Sequence, residues 1–327
     1  MPGHWQRHHC CRYCLADDSK GTPMSWNNWS RDAHWKDTIF YTNEPWFAHC
    51  TAEGKQVWIM FKDKADGGLG LSVFCVFDDG MHSTDLGVTG HVLGNCLWHF
   101  VYTDILGDGE PEDHMNFVWE YVVNQYRIRG THTQFTRLEI SMFTDPENPA
   151  KDRPFLNGKA AESKDLVPIL RDLWKSKERA GTTEAHIGCI LDHLSDYYDI
   201  LDFSLADGSY PIFLPVAQQT KLKHAINSFI LHYNYLYEWA LRKGRRLWHY
   251  TPKFHYMWHQ GDQCEYMNPR ASRCYVNEDY MRKAQSLGVA NSKALVAAKR
   301  SLGICTQYMY GLGLQLTDLE KRMQTDR

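Results

Sequence analysis

The tetrapeptide Asp79-Gly-Met-His82 sets a carboxylate and an imidazole directly after the apolar run Leu-Ser-Val-Phe-Cys-Val-Phe at residues 71–77. That run is bounded by Gly70 and Asp78 and reads as a short strand buried on both faces. An acid at the C-terminal tip of a central strand stands where α/β folds place their chemistry. A second acid, Glu278, heads a predicted helix after the turn-like Met267-Asn-Pro-Arg270. Carboxylates of this kind serve Mg²⁺ in phosphoryl transfer, because the ion takes hard oxygen ligands and keeps waters for substrate phosphates. Two acids are too few for a complete two-metal site, and a third is not evident. Both also fit plain helix starts, where negative charge is favourable, and the residues alone favour that role.

Softer donors form two further groups. Cys11-Arg-Tyr-Cys14 has the spacing of a zinc knuckle. His4, His8, His9, His34, His49 and Cys50 are available to complete a tetrahedron, and the pair His49-Cys50 is the preferred second half. A reduced cysteine pair in a Trp-rich patch explains the same residues equally well. His255-x-x-x-His259, with His249 before it and Cys264 beyond, puts two imidazoles on one helix face, where they could hold a transition metal. A zincin helix needs Glu beside its first His, and Tyr256 stands there instead. Packing histidines are the preferred reading, with a contact near the acidic site as the other. The basic residues Arg242, Lys243, Arg245 and Arg246, beside Trp248 and Tyr250, suit a DNA phosphate backbone and equally a solvated helix end. Serine-hydrolase elbows, Walker loops and dinucleotide-binding glycine fingerprints are missing.

The elements that must position these groups read as follows. A helix spans residues 84–106, with Gly87, Gly90 and Gly94 as a stripe that permits close approach of a neighbour. Gly107-Asp-Gly-Glu-Pro111 breaks the chain, and a second helix runs to about residue 129. Residues 57–61 and 138–143 read as short strands, and 145–158 as a loop. Three helices fill 160–244, with breaks near Ala180-Gly181 and Asp207-Gly208. Residues 253–260, 279–287 and 294–324 read as helical.

The chain has 327 residues, 43% of them apolar, with 12 Trp, 18 Tyr and 14 Phe, enough for a sizeable core and against wholesale disorder. A net charge of −3 argues against a strongly basic nucleic-acid binder without excluding local basic patches. Ten scattered Cys suggest free thiols in a reducing compartment. With neither an apolar leader nor a membrane-length run, the expectation is a soluble nuclear or cytoplasmic protein that is not secreted.

Several segments, taken in order, resemble transposase-derived proteins with a ribonuclease-H-like DDE core, distantly similar to CACTA-type transposases. They are Cys11-Arg-Tyr-Cys14, Trp29-Ser-Arg-Asp-Ala-His-Trp35, the block from Asp79 to His91, Ser141-Met-Phe-Thr-Asp145, Leu156-Asn-Gly-Lys-Ala-Ala-Glu162, Pro252-Lys-Phe-His-Tyr-Met-Trp-His259, and Asn268-Pro-Arg270 through Glu278-Asp279. The resemblance implies that Asp79 is the second metal-binding Asp and Glu278 the final Glu. It places His82, His255 and His259 near that centre. The family's first catalytic Asp would precede the Cys segment, which implies a degenerate or truncated relative.

The fold expected is α/β: a partial ribonuclease-H-like mixed sheet with a large, mainly helical insertion. The expected parts are a Cys/His/Trp-rich segment (1–56), a partial core with Asp79 (57–106), a helical insertion (107–250) and a C-terminal helical part with Glu278 (251–327). The expected function is Mg²⁺-dependent DNA cleavage and strand transfer by ancestry. One alternative is a non-catalytic DNA- or protein-binding module with a zinc-pinned N-terminal segment. A third reading is a metalloenzyme that uses His249, His255 and His259.

Overall fold

The computed structural model describes residues 11–52, 77–177 and 181–275, the side chains of residues 49–52 excepted. The chain divides into two compact units, Met1–Arg273 and Cys274–Arg327, and the fold below is that of the first. Its helices are α1 (Asn43–Ala52), α2 (Thr89–Tyr102), α3 (Pro111–Arg129), α4 (Ala160–Ser176), α5 (Thr182–Leu201), α6 (Val216–Arg242) and α7 (Pro252–Gln263). A π-helical stretch, Met81–Val88, runs directly into α2, and short 3₁₀ turns lie at His34–Thr38, Asp104–Leu106, Ile140–Met142 and Pro269–Ser272.

The helix limits follow from local chemistry. α3 opens on Pro111, whose missing N–H costs nothing in the first turn, with Glu112 and Asp113 beside it, where the helix dipole favours acids. It closes on Gly130 in the left-handed conformation (φ 62°), which a glycine enters without a Cβ clash. α7 also opens on a proline, Pro252. In α4 the Glu162 carboxylate reaches back to accept from the Lys159 N–H at 3.0 Å.

One core runs from Val88 to Cys264 and takes its side chains from α2 to α7. α2 lies at its middle, with Val92, Leu93, Cys96, Leu97 and Phe100 fully buried. The glycine stripe acts as the spacing suggests. A Cβ on Gly94 would stand 2.6 Å from the Phe155 backbone nitrogen and 2.7 Å from its Cα. The Gly90 carbonyl accepts from the Leu156 N–H at 2.9 Å, so the loop at 155–156 lies directly on the helix. Beside this core sits a smaller one built from Cys11, Tyr13, Cys14, Ala16, Ala33, Trp35 and Tyr256.

The α/β expectation, and the ribonuclease-H-like mixed sheet with it, is overturned. Among the described residues there is no strand, and the extended pairing seen is one isolated parallel bridge, Asp17 to Ser25. The predicted strand at 138–143 is instead the 3₁₀ turn Ile140–Met142, with the Phe143 N–H donating to the Ile140 carbonyl at 3.1 Å. Ile140 and Phe143 are three apart and both buried, the period of a 3₁₀ turn and not of a pleat. The predicted strand at 57–61, residues 71–76 of the next, and the predicted helices at 279–287 and 294–324 lie outside the described residues. The helices predicted within 84–260 form, at nearly the limits expected.

Candidate metal centre

Helix α7 is buried on nearly every side, with Phe254, His255, Tyr256, Met257, His259, Gln260 and Gly261 all enclosed. His255 and His259, one turn apart, face the segment that carries Cys11 and Cys14. The four donor atoms lie within 4.8 Å of one another, and all four residues are buried. Cys14 Sγ is 3.3 Å from His255 Nε2. Cys11 Sγ is 3.4 Å from His259 Nε2, and the two Nε2 atoms are 3.1 Å apart. A tetrahedral ion with metal–nitrogen bonds near 2.05 Å and metal–sulfur bonds near 2.3 Å needs about 3.3 Å between nitrogens and about 3.6 Å from nitrogen to sulfur. The donors therefore stand a few tenths of an ångström inside an ion's coordination shell, and the cluster could hold a metal ion.

The surrounding groups prepare these donors. His255 Nδ1 lies 2.9 Å from the Trp26 carbonyl, which can only accept, so Nδ1 carries the proton and the Nε2 lone pair is free toward the cluster. The Tyr13 and Ala16 N–H groups donate to the sulfurs of Cys11 and Cys14 at 3.3 and 3.4 Å. Burial alone would push the Cys11 thiol up. The hydrogen bond with Cys14 and the charges of His259 and His255 overcome that and hold it well below the usual thiol range. Burial moves His255 toward its neutral, ligating form. Trp35, fully enclosed, packs its ring 4.4 Å from that of His255, and Tyr13 lies 5.1 Å from that of His259, so water is kept out.

The residues between the two cysteines tie this centre to a second polar cluster. Arg12 donates to the buried Asp78 at 3.1 Å, and its guanidinium lies over the rings of Tyr13 and Tyr256. Asp78 also accepts from Ser83 and, at 2.8 Å, from Gln260, the residue after His259. Tyr197 donates to the side-chain amide oxygen of Gln260. Nearby, Asp85 accepts from Tyr198 at 2.9 Å and pairs with Arg273 at 3.2 Å, with both partners almost wholly buried. Burial, with Asp85 next to it, holds the Tyr198 phenol well above its ordinary value.

The predicted residues now have places. Among the described residues, Cys11 and Cys14 meet His255 and His259. His49 and Cys50 fall on α1, where the described structure stops at the backbone. His255 and His259 serve the sulfurs, and His249 is outside the cluster, with its Nε2 3.5 Å from Arg153. At Asp79 one carboxylate oxygen accepts from the Met81 N–H at 3.1 Å, and the other meets His82 Nδ1. Glu278 lies outside the described residues. Arg242, Lys243, Arg245 and Arg246 are all exposed at the end of α6, with Arg245 also 5.5 Å over Trp98 and Arg242 3.8 Å from Glu238. Sequence reasoning missed Asp78 and Gln260, because a buried polar network leaves no spacing signature. The joining of C-x-x-C to H-x-x-x-H was open to it, since each half stands out by its spacing. No helix among the described residues is long and apolar enough to cross a membrane. Comparison with family models, curated proteins and solved structures finds no match to the chain.

Proposed function

We propose that Cys11, Cys14, His255 and His259 bind zinc in a structural site that staples the N-terminal segment to α7 of a DNA-binding helical module of transposase descent. The observation that carries the zinc assignment is the convergence of four buried soft donors, two thiols and two imidazoles, within 4.8 Å. Four protein ligands close the tetrahedron and leave no position for a substrate, the arrangement of a structural ion and not of a catalytic one. The Trp26 carbonyl sets the His255 tautomer that such an ion needs. DNA binding is supported by the four exposed cations at 242–246, whose contacts would be with phosphates and so sensitive to salt.

The test has two arms. Zinc content of the purified chain and of its Cys11→Ala and His259→Ala variants should read one ion per chain in the first and a loss of it in the others. Fluorescence anisotropy against a duplex should give binding that weakens steeply with salt. A variant with Arg242, Lys243, Arg245 and Arg246 all replaced by Ala should show a shallower salt slope. Equal binding by both proteins sinks the DNA assignment. Mg²⁺- or Mn²⁺-dependent cleavage that Asp79→Ala abolishes would replace the binding reading by an enzymatic one.

A further inference from the structure

Away from that centre, α5 and α6 carry a row of imidazoles along their seam. We propose that His186 of α5 and His232 of α6 form a second metal site, a two-histidine seat for a divalent ion that prefers right-angle coordination, Cu²⁺ or Ni²⁺. The Nδ1 atoms of the two rings are 2.8 Å apart, although the residues are 46 positions apart in sequence and on different helices. With metal–nitrogen bonds near 2.05 Å, two ligands at 90° stand about 2.9 Å apart and two at the tetrahedral angle about 3.3 Å. The observed 2.8 Å, the length of a hydrogen bond between the rings, lies nearer the first spacing, so an ion with right-angle ligands needs the smaller ring movement. The Cys and His centre, with its mixed donors and its wider nitrogen pair at 3.1 Å, suits a different metal.

Both rings are held before any ion arrives. Tyr235 stacks on His186 at 3.8 Å and 12°, and His193 stacks on His232 at 5.8 Å and 16°. His186 and His232 are half-buried, so one side of the pair faces solvent and waters can fill the remaining coordination positions. Without an ion, one Nδ1–H donates to the other ring. On metal binding the donor ring moves its proton from Nδ1 to Nε2, so that each Nδ1 offers a lone pair to the ion and both rings stay neutral. The site stands on geometry independent of the Cys11 centre, and failure of either leaves the other untouched.

The probe is Ni²⁺ alone, titrated into the zinc-loaded full chain by equilibrium dialysis, with His186→Ala and His232→Ala compared and His224→Ala as the control histidine. The wild type and the control should take up one equivalent more than either single variant, with at least a tenfold weaker affinity for that step when one ring is lost. Saturating Ni²⁺ should raise Tm in the wild type, because the ion bridges two helices, and leave Tm of the two variants unchanged. In the unmutated chain, Ni²⁺ added below one equivalent should broaden the imidazole NMR signals of His186 and His232 before those of other histidines. Equal uptake by all four proteins, or first broadening at other histidines, overturns the proposal.

Discussion

Replacing Cys14 by alanine removes one of the donors that join the N-terminal segment to α7, and the size of the loss follows from the length of chain the centre closes. Cys14 and His255 are 241 residues apart. In the chain-entropy model, closing a loop of that length removes about 5.5 kcal/mol of unfolded-state freedom at 25 °C. Zinc held by the unfolded Cys pair would take back part of this, which leaves about 3–5 kcal/mol. At about 2–4 °C per kcal/mol for chains of this size class, the melting temperature should fall by about 10 °C. Thermal melts followed by circular dichroism, with and without excess chelator, separate the ion from the side chain. Chelator should lower the wild-type Tm by about 10 °C and leave the Cys14→Ala Tm where it is, since that protein has no ion to lose. A full equivalent of zinc in the variant, or a wild-type Tm unmoved after the ion has been stripped, would refute the reasoning.

Gly94→Ala should destabilise the fold by about 1–3 kcal/mol, read as a lower urea midpoint, because its Cβ meets backbone atoms of Phe155 and Leu156 at 2.6–2.8 Å, which cannot rotate away; an unchanged midpoint would mean that the loop is not seated on α2. Arg273→Met takes the guanidinium away from the enclosed Asp85 carboxylate and should cost about 3–5 kcal/mol, while Asp85→Asn added to it should restore part of the loss; no restoration would point to packing and not charge. Burial pushes the rings of His91 and His99 down to about 3, with His249 adding to the first and Arg245 to the second. Both rings stay neutral in the folded chain and protonate on unfolding, so their contribution is complete above pH 6.5 and is lost as pH falls from there toward 3. His99→Phe should therefore reduce the acid-side slope of stability by about 1.4 kcal/mol per pH unit between pH 6 and 4.5, and parallel slopes for the two proteins would count against a buried neutral His99.

The helices were legible because their signals are local. Pro111 with Glu112 and Asp113, the apolar period on α2 and the breaks at Gly181 and Gly208 each act within a turn or two of chain. The close approach at Gly90 and Gly94 was legible for the same reason, although its partner, the loop at 155–156, was not. The strand at 138–143 was misread because Leu138 and Ile140 alternate as in a pleat, and the burial of Phe143 that decides for a turn depends on tertiary packing. The centre was half legible. Both pairs of ligands stood out by spacing, yet 241 residues of intervening chain carry no sign that one pair belongs to the other. Asp78 outranks Asp79 in burial, a distinction between adjacent residues that only the folded chain makes.

The span of the Cys11–His259 centre also sets an order of events in synthesis. At about 5–20 residues per second, roughly 12–50 s pass between the emergence of the first two donors and the last two. Through that interval Cys11, Cys14 and the rings of Trp29 and Trp35, which the finished protein encloses around His255, have no partner helix to fold against. The nascent N-terminal segment is then a thiol-bearing, aromatic stretch exposed to oxidants and to other chains. A holdase or a zinc-replete cytosol during translation should raise the yield of soluble protein more than the same treatment applied after release. The last seam to close would be the one that joins the two ends of the folded unit.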